Sequence, residues 1–76
     1  MERIVPIRTE FITLGQLLKL IDMVGSGSEV KILLGQGRFR VNGEFEDRRG
    51  RKLRPGDFVT LPNRDVVRIG DGASPG

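Results

Sequence analysis

The sequence contains no cysteine and no histidine among its 76 residues. Without cysteine, no disulfide or thiolate–metal cluster can supplement the small core of so short a chain. Without either residue, a zinc site, a histidine-activated nucleophile and a proton shuttle near neutral pH lack their usual side chains. No pair of carboxylates is set in an apolar pattern either, so we expect no metal, no cofactor, no catalytic residue and no enzymatic activity.

Tryptophan and tyrosine are also absent, and phenylalanine occurs four times. Phe11, Phe39, Phe45 and Phe58 each lie in an apolar or alternating stretch, so we expect all four to be core residues. Proteins that bind single-stranded nucleic acids stack bases on exposed aromatic rings, and RRM sheets carry aromatics at two marked sites. If this chain binds a nucleic acid, its composition therefore favours recognition of backbone and shape.

Long hydrophobic runs are missing as well, since no apolar segment approaches the roughly 20 residues that span a bilayer. The first eight residues, Met1–Arg8, contain no apolar segment typical of a secretory signal. We therefore expect no membrane partner and a cytoplasmic location. Apolar residues make up 37% and charged residues 30% of the chain, which is typical of a folded domain. We predict a single domain over residues 1–69 and a disordered tail over residues 70–76.

The formal net charge is +3, and the positive excess lies in one segment. Residues 38–54 contain seven basic and three acidic residues, whereas the rest of the chain has a net charge of −1. Arginine predominates, and its planar guanidinium group suits phosphate. The segment predicts a phosphate-contacting patch, with a solvated charge run as the alternative. The residues assigned to the patch are Arg48, Arg49, Arg51 and Lys52, extended along one strand face by Arg38 and Arg40.

Two capping signals predict two short helices ahead of this segment. Thr13 and Gln16 have the spacing of a capping box, and Gly25 would end that helix. Ser26 repeats the capping signal with Glu29 at the third helical position, and Gly35 and Gly37 would end the second helix. Apolar residues at helical spacing follow each cap.

After the helices the hydrophobic period changes to two. Residues 38–41 alternate, and Asn42-Gly43 is the strongest short-range signal for a β-hairpin. Further strands are predicted over residues 58–61 and 66–69, and residues 3–7, which contain a proline, suit an edge strand or an extended lead-in. The predicted fold class is α+β, with two N-terminal helices packed on a small, mainly antiparallel β-sheet.

Residues 12–61 resemble the RNA-binding domain named after small-subunit ribosomal protein S-four, the αL motif. The matching segments are, in order, Leu14, Leu17–Leu18, Ser28–Lys31, Gly37–Gly43 and Leu53–Asp57. The Gly-x-x-x-Val-Asn-Gly and Pro-Gly-Asp elements are fairly specific in combination, at this separation behind two helices. The chain looks like the small stand-alone bacterial members of the family (YaaA/YbcJ-like).

The resemblance implies non-catalytic binding of structured RNA, ribosomal or transfer RNA, and a role on the ribosome or in its assembly. It adds Lys31 in the second helix, and Ser26 and Ser28 at its start, to the candidate RNA-binding residues. Both serines also suit helix capping, and a capped N-terminus can still receive a phosphate. Where the family often has Arg-Leu-Asp and Ser-Arg-Ser, this chain has Thr13-Leu14-Gly15 and Ser26-Gly27-Ser28. Two charged positions are therefore missing, and more of the contact is expected from the basic segment.

Two other binding functions stay open at this point. A protein–protein adaptor would place the basic patch on an acidic partner. Duplex DNA binding through the helical pair is disfavoured, because Lys31 is the one basic side chain predicted in the second helix. We expect a monomer with no small-molecule substrate.

Overall fold

The structure is a computed structural model that describes residues 2–72. The elements in chain order are β1 (Glu2–Ile7), β2 (Ile12–Thr13), α1 (Leu14–Leu20), α2 (Gly27–Gly35), β3 (Arg40–Val41), β4 (Glu44–Phe45), β5 (Lys52–Leu53), β6 (Phe58–Thr60) and β7 (Val66–Asp71). The predicted α+β class is confirmed. The arrangement with two N-terminal helices is not, because β1 and β2 precede both helices.

The main sheet has five strands in the order β1-β7-β6-β3-β4. β1 runs parallel to β7, with Glu2 opposite Val66 and Ile7 opposite Asp71, and the other pairs are antiparallel. β1 lies at the sheet edge, where the missing N–H of its proline is tolerated. β2 and β5 form a separate antiparallel pair.

The predicted tail begins too early. Gly70 and Asp71 are the last residues of β7, and the Gly72 N–H donates a hydrogen bond to the Ile7 carbonyl at 2.7 Å. The strand continues because β1, from the other end of the chain, pairs with it along its whole length. The rest of the predicted tail, residues 73–76, lies outside the described residues.

The capping box at the start of α1 is confirmed. Thr13 Oγ1 accepts from the Gln16 N–H at 3.2 Å, and Gln16 Oε1 accepts from the Thr13 N–H at 3.0 Å. The predicted end at Gly25 is wrong, because the helix ends at Leu20. Asp22 adopts a left-handed φ of 62°, and the Met23 N–H reaches back to close the last turn. Aspartate tolerates this conformation better than most residues, so it replaces the expected glycine.

Ser26 is the N-cap of α2, and its hydroxyl accepts from the Glu29 N–H at 3.4 Å. In a capping box the Glu29 carboxylate would accept from the Ser26 N–H, but here it accepts from the Gly25 N–H at 3.0 Å. The helix ends at Gly35, as predicted.

The core is one cluster drawn from both helices and the sheet. Its fully buried members are Phe39, Leu14, Leu17, Leu18, Leu34, Leu53, Ile69, Val30, Val59 and Val67.

The prediction that all four phenylalanines are core residues is wrong for Phe45, which is 68% exposed. Phe45 lies opposite Arg40 in the β3–β4 ladder, and residues directly opposite each other share a face of the sheet. Since Phe39 and Val41 point into the core, Arg40 and its partner must point outward. Phe39 is fully buried, whereas Phe11 and Phe58 are half-buried.

Candidate nucleic-acid interface

Residues 46–54, which we call the basic loop, are fastened to the start of α1. The Leu14 N–H donates to the Arg51 carbonyl, and the Gly15 N–H donates to the Arg49 carbonyl, each at 2.9 Å. β5, at the end of the loop, also pairs with β2 just before the helix. The first N–H groups of a helix usually lack a partner, and here the loop backbone supplies one. The loop is therefore held in place by main-chain bonds, and these donors of α1 are closed to a phosphate.

Gly15 allows this close contact. A Cβ at Gly15 would lie 3.3 Å from both Arg49 Cβ and the Arg49 carbonyl oxygen, and 3.4 Å from Val30 Cγ1. A larger side chain would therefore push against the loop. Any residue other than glycine would require Arg49 or Val30 to move by a few tenths of an ångström.

Glu46 holds two of the predicted phosphate ligands, Arg48 and Arg51. Its side chain is 8% exposed, accepts from Arg48 Nε at 2.9 Å and Nη2 at 3.1 Å, and lies 3.5 Å from Arg51 Nη1. It also accepts from the Arg48 backbone N–H at 3.1 Å. The hydrogen bond from the Arg48 side chain is the main cause that lowers the pKa of Glu46 and raises the pKa of Arg48. Sequence reasoning missed this role, because no sequence signal indicated that Glu46 would be buried.

The outer side of the basic loop forms a first cleft of about 550 Å³. Its lining residues are Arg48, Gly50, Arg51, Lys52, Arg54 and Asp57. Lys52 Nζ lies 4.9 Å and Arg54 Cζ 5.9 Å from the centroid of the Phe11 ring. Within residues 2–72 neither cation forms an ion pair, so their charge is not neutralised by a carboxylate. Arg54 was not among the assigned site residues, although it belonged to the basic segment.

A second cleft of about 250 Å³ lies between the two helices and the basic loop. Arg49 and Lys19 supply its cations, and Gly27 at the start of α2 lines it as well. Ser26 and Ser28 are not among its lining residues, and Lys31 is exposed elsewhere on α2. Arg49 Nη1 lies 4.0 Å from where a Cβ on Gly27 would be, so of the residues at the start of α2 it is Gly27, between the two assigned serines, that borders Arg49 in this cleft.

Arg38 and Arg40 lie on a third cleft of about 490 Å³, together with Phe45 and Arg64. This cleft shares no lining residue with the first or the second. The structure thus divides six of the seven assigned cations among three clefts and leaves Lys31 outside them. Their roles in RNA binding stay predictions.

Asn42 and Asp57 join the two sequence elements that carried the family resemblance. Asn42 Nδ2 donates to Asp57 Oδ1 at 3.2 Å, and Asn42 Oδ1 accepts from the Phe58 N–H at 3.0 Å. Asp57 Oδ2 accepts from the Arg54 N–H at 2.9 Å. Asn42 also has the φ of 53° that the hairpin turn requires. Besides forming the turn, it therefore helps to position the end of the basic loop.

Across residues 2–72, no group of three or more His, Cys, Asp or Glu side chains is placed to hold a metal ion. No helix in the same range is long and apolar enough to cross a membrane.

Comparison with known proteins extends the resemblance to nearly the whole described chain. The family model of the S4 domain matches residues 5–70, which include both helices, the basic loop and most of the main sheet. A protein of Bacillus subtilis (strain 168) described as "Probable ribosome maturation protein RlbA" is 49% identical over 57 residues. That alignment covers 75% of this chain and 80% of the relative. The chain therefore belongs to the S4 domain family.

Proposed function

We propose that this protein binds structured RNA, ribosomal or transfer RNA, through the phosphate backbone, and that it acts in ribosome maturation without catalysing a reaction. Membership of the S4 domain family and the name of the Bacillus subtilis relative support this proposal. We further propose that it acts in the cytoplasm as a monomer and needs no small-molecule ligand or cofactor.

The observation that carries the proposal is the first cleft, whose cations lie on the basic loop. Main-chain hydrogen bonds fasten this loop to the start of α1. Lys52 and Arg54 have no carboxylate partner within the described residues and face the same cleft. Arg48 is ion-paired but its side chain is 70% exposed, and a guanidinium has five N–H donors, so it retains donors for a phosphate. Cations on a fixed backbone recognise the spacing of phosphates in a folded RNA better than cations on a flexible tail.

The alternative is an adaptor that places the same cations on an acidic protein. An affinity-tagged copy should be crosslinked in cells and purified, and the bound RNA sequenced. Half of each sample is treated with ribonuclease before purification. We expect enrichment of ribosomal or transfer RNA, and loss of co-purifying proteins after nuclease treatment. A protein partner that survives the nuclease, with no enriched RNA, would contradict the proposal.

A further inference from the structure

The third cleft contains the most exposed aromatic ring among residues 2–72. Phe45 is 68% exposed, and the Arg40 guanidinium lies 4.4 Å from its ring centroid. Both residues belong to the short β3–β4 hairpin and lie directly opposite each other. Arg40 therefore covers one face of the Phe45 ring, and the 68% exposure of the residue leaves the opposite face for a ligand.

Every charged residue that lines this cleft is an arginine. Arg38, Arg40 and Arg64 are exposed, and none of them forms an ion pair within the described chain. Arg64 has a φ of 74°, a conformation that glycine or asparagine adopts more easily, and its N–H donates to the Leu61 carbonyl at 3.0 Å. This turn holds the Arg64 backbone beside the hairpin.

We propose that this cleft binds one unpaired nucleotide of RNA, with its base stacked on Phe45 and its phosphates contacted by Arg38 and Arg64. The inference rests on the proposed function and adds a second element to the RNA target. A nucleotide combines a planar base with an anionic phosphate, which matches an exposed ring that shares its cleft with three arginines. The cleft volume of about 490 Å³ is within the range of small-ligand pockets.

The third cleft and the basic loop are joined through residues 45 and 46, and Glu46 is held by hydrogen bonds and ion pairs. Phe45 directly precedes Glu46, whose carboxylate holds Arg48 and Arg51. The Glu46 N–H also donates to the carbonyl of buried Phe39 at 3.0 Å. One RNA could therefore place a helical stem on the basic loop and an adjacent unpaired base on Phe45.

The test uses an RNA hairpin in two forms, blunt or with a short single-stranded extension that contains the fluorescent base 2-aminopurine. Stacking quenches this base, and the protein has no tryptophan or tyrosine to add background emission. We expect wild type to bind the extended hairpin at least about 5-fold more tightly than the blunt one, with quenching. Phe45→Ala should remove the gain and the quenching but keep the affinity for the blunt hairpin. Ile32→Ala is the matched control, because Ile32 is also 68% exposed but lies on α2.

A second variant, Arg64→Gln, should reduce the additional affinity that the single-stranded extension provides. It should leave the affinity for the blunt hairpin unchanged. The isolated extension is tested at high concentration as well. Quenching of that strand by wild type, but not by Phe45→Ala, supports the inference even if the hairpin fails to bind. If the blunt hairpin binds and the extension adds neither affinity nor quenching, the inference is overturned and the proposed function stands. If none of the three RNAs binds, both are overturned.

Discussion

Glu46 is a carboxylate whose side chain is 8% exposed and which faces two arginines. Glu46→Gln keeps the shape and one acceptor oxygen, but it removes the negative charge and replaces the other acceptor of Arg48 with an NH₂ donor. We expect it to lower the free energy of unfolding by about 1–3 kcal/mol, the usual cost of losing a hydrogen bond to a charged group. Glu44→Gln, two residues away and exposed, should stay within about 0.5 kcal/mol of wild type. Urea unfolding at neutral pH measures both, and equal effects would show that the Glu46 ion pair does not stabilise the fold.

The same residue predicts a pH dependence. Folding lowers the pKa of Glu46, so the folded state favours its carboxylate form. This stabilisation is present above the ordinary carboxyl pKa and is lost as the pH falls through the lowered value. The stability difference between wild type and Glu46→Gln should therefore shrink as urea unfolding is repeated at increasingly acidic pH. A difference that stays constant would contradict the assigned pKa shift.

At the scale of elements, removing the Ser26 cap should lower the stability of the fold without removing a direct contact to RNA. Ser26→Ala removes the acceptor of the Glu29 N–H and should cost about 0.5–2 kcal/mol of stability. Ser28→Ala is the matched control, because Ser28 is exposed in the same helical turn without a capping bond. Thermal melts and RNA titrations are run on both variants. Lost RNA binding in Ser26→Ala with an unchanged melt would make Ser26 an RNA ligand and not a cap.

The contact between the β3–β4 hairpin and the turn before β6 depends on Asn42 and Asp57. Asn42→Gly retains the positive φ of the turn and removes the side chain, whereas Asp57→Ala removes the other partner. The double-mutant cycle should give a coupling energy of about 0.5–3 kcal/mol. As a control, Asn42→Gly combined with Asn63→Ala should be additive, since Asn63 bonds to Asp65 in another turn. Additivity in the first cycle would show that the Asn42–Asp57 hydrogen bond does not couple the two motifs energetically.

Local features of the elements could be predicted from the sequence, because neighbouring residues determine them. The Thr13 capping box, the Ser26 cap and the hairpin turn at Asn42 each depend on side chains within a few residues. The pairing of β1 with β7 could not be predicted, since the partners are at opposite ends of the chain. For the same reason the predicted tail started too early.

For the candidate site too, features that depend on neighbouring residues could be predicted from the sequence, whereas features that depend on contacts between distant residues could not. Its basic residues were visible as a charge asymmetry, but their distribution over three clefts depends on how the basic loop docks on α1. The burial of Glu46 and the exposure of Phe45 depend on strand register, which composition does not reveal. The burial of Glu46 also limits which substitutions can test the site, because alanine at Arg48 or Arg51 would leave the buried Glu46 carboxylate without one of its partners.

At the scale of the whole molecule, residues 2–72 form an elongated body of 37 × 22 × 18 Å with one hydrophobic cluster. The net charge is only +3, so the total charge alone would attract RNA weakly. If the basic loop binds phosphates, the position of the cations and not the total charge must determine the affinity for RNA. Two pairs of exposed cations allow this claim to be tested at constant net charge. Lys52 and Arg54 line the first cleft, whereas Arg3 and Arg8 lie on or just after β1.

The most direct measurement is the salt dependence of binding to one RNA hairpin, for wild type and for two variants of equal net charge. Contact with about four to six phosphates predicts a wild-type slope of log K against log salt of about −3 to −5. Lys52→Gln/Arg54→Gln should make that slope shallower by about 1.4–1.8 units, because two phosphate contacts are lost. Arg3→Gln/Arg8→Gln should leave it unchanged. Equal slopes for the two variants, or a wild-type slope near zero, would contradict phosphate recognition by the basic loop.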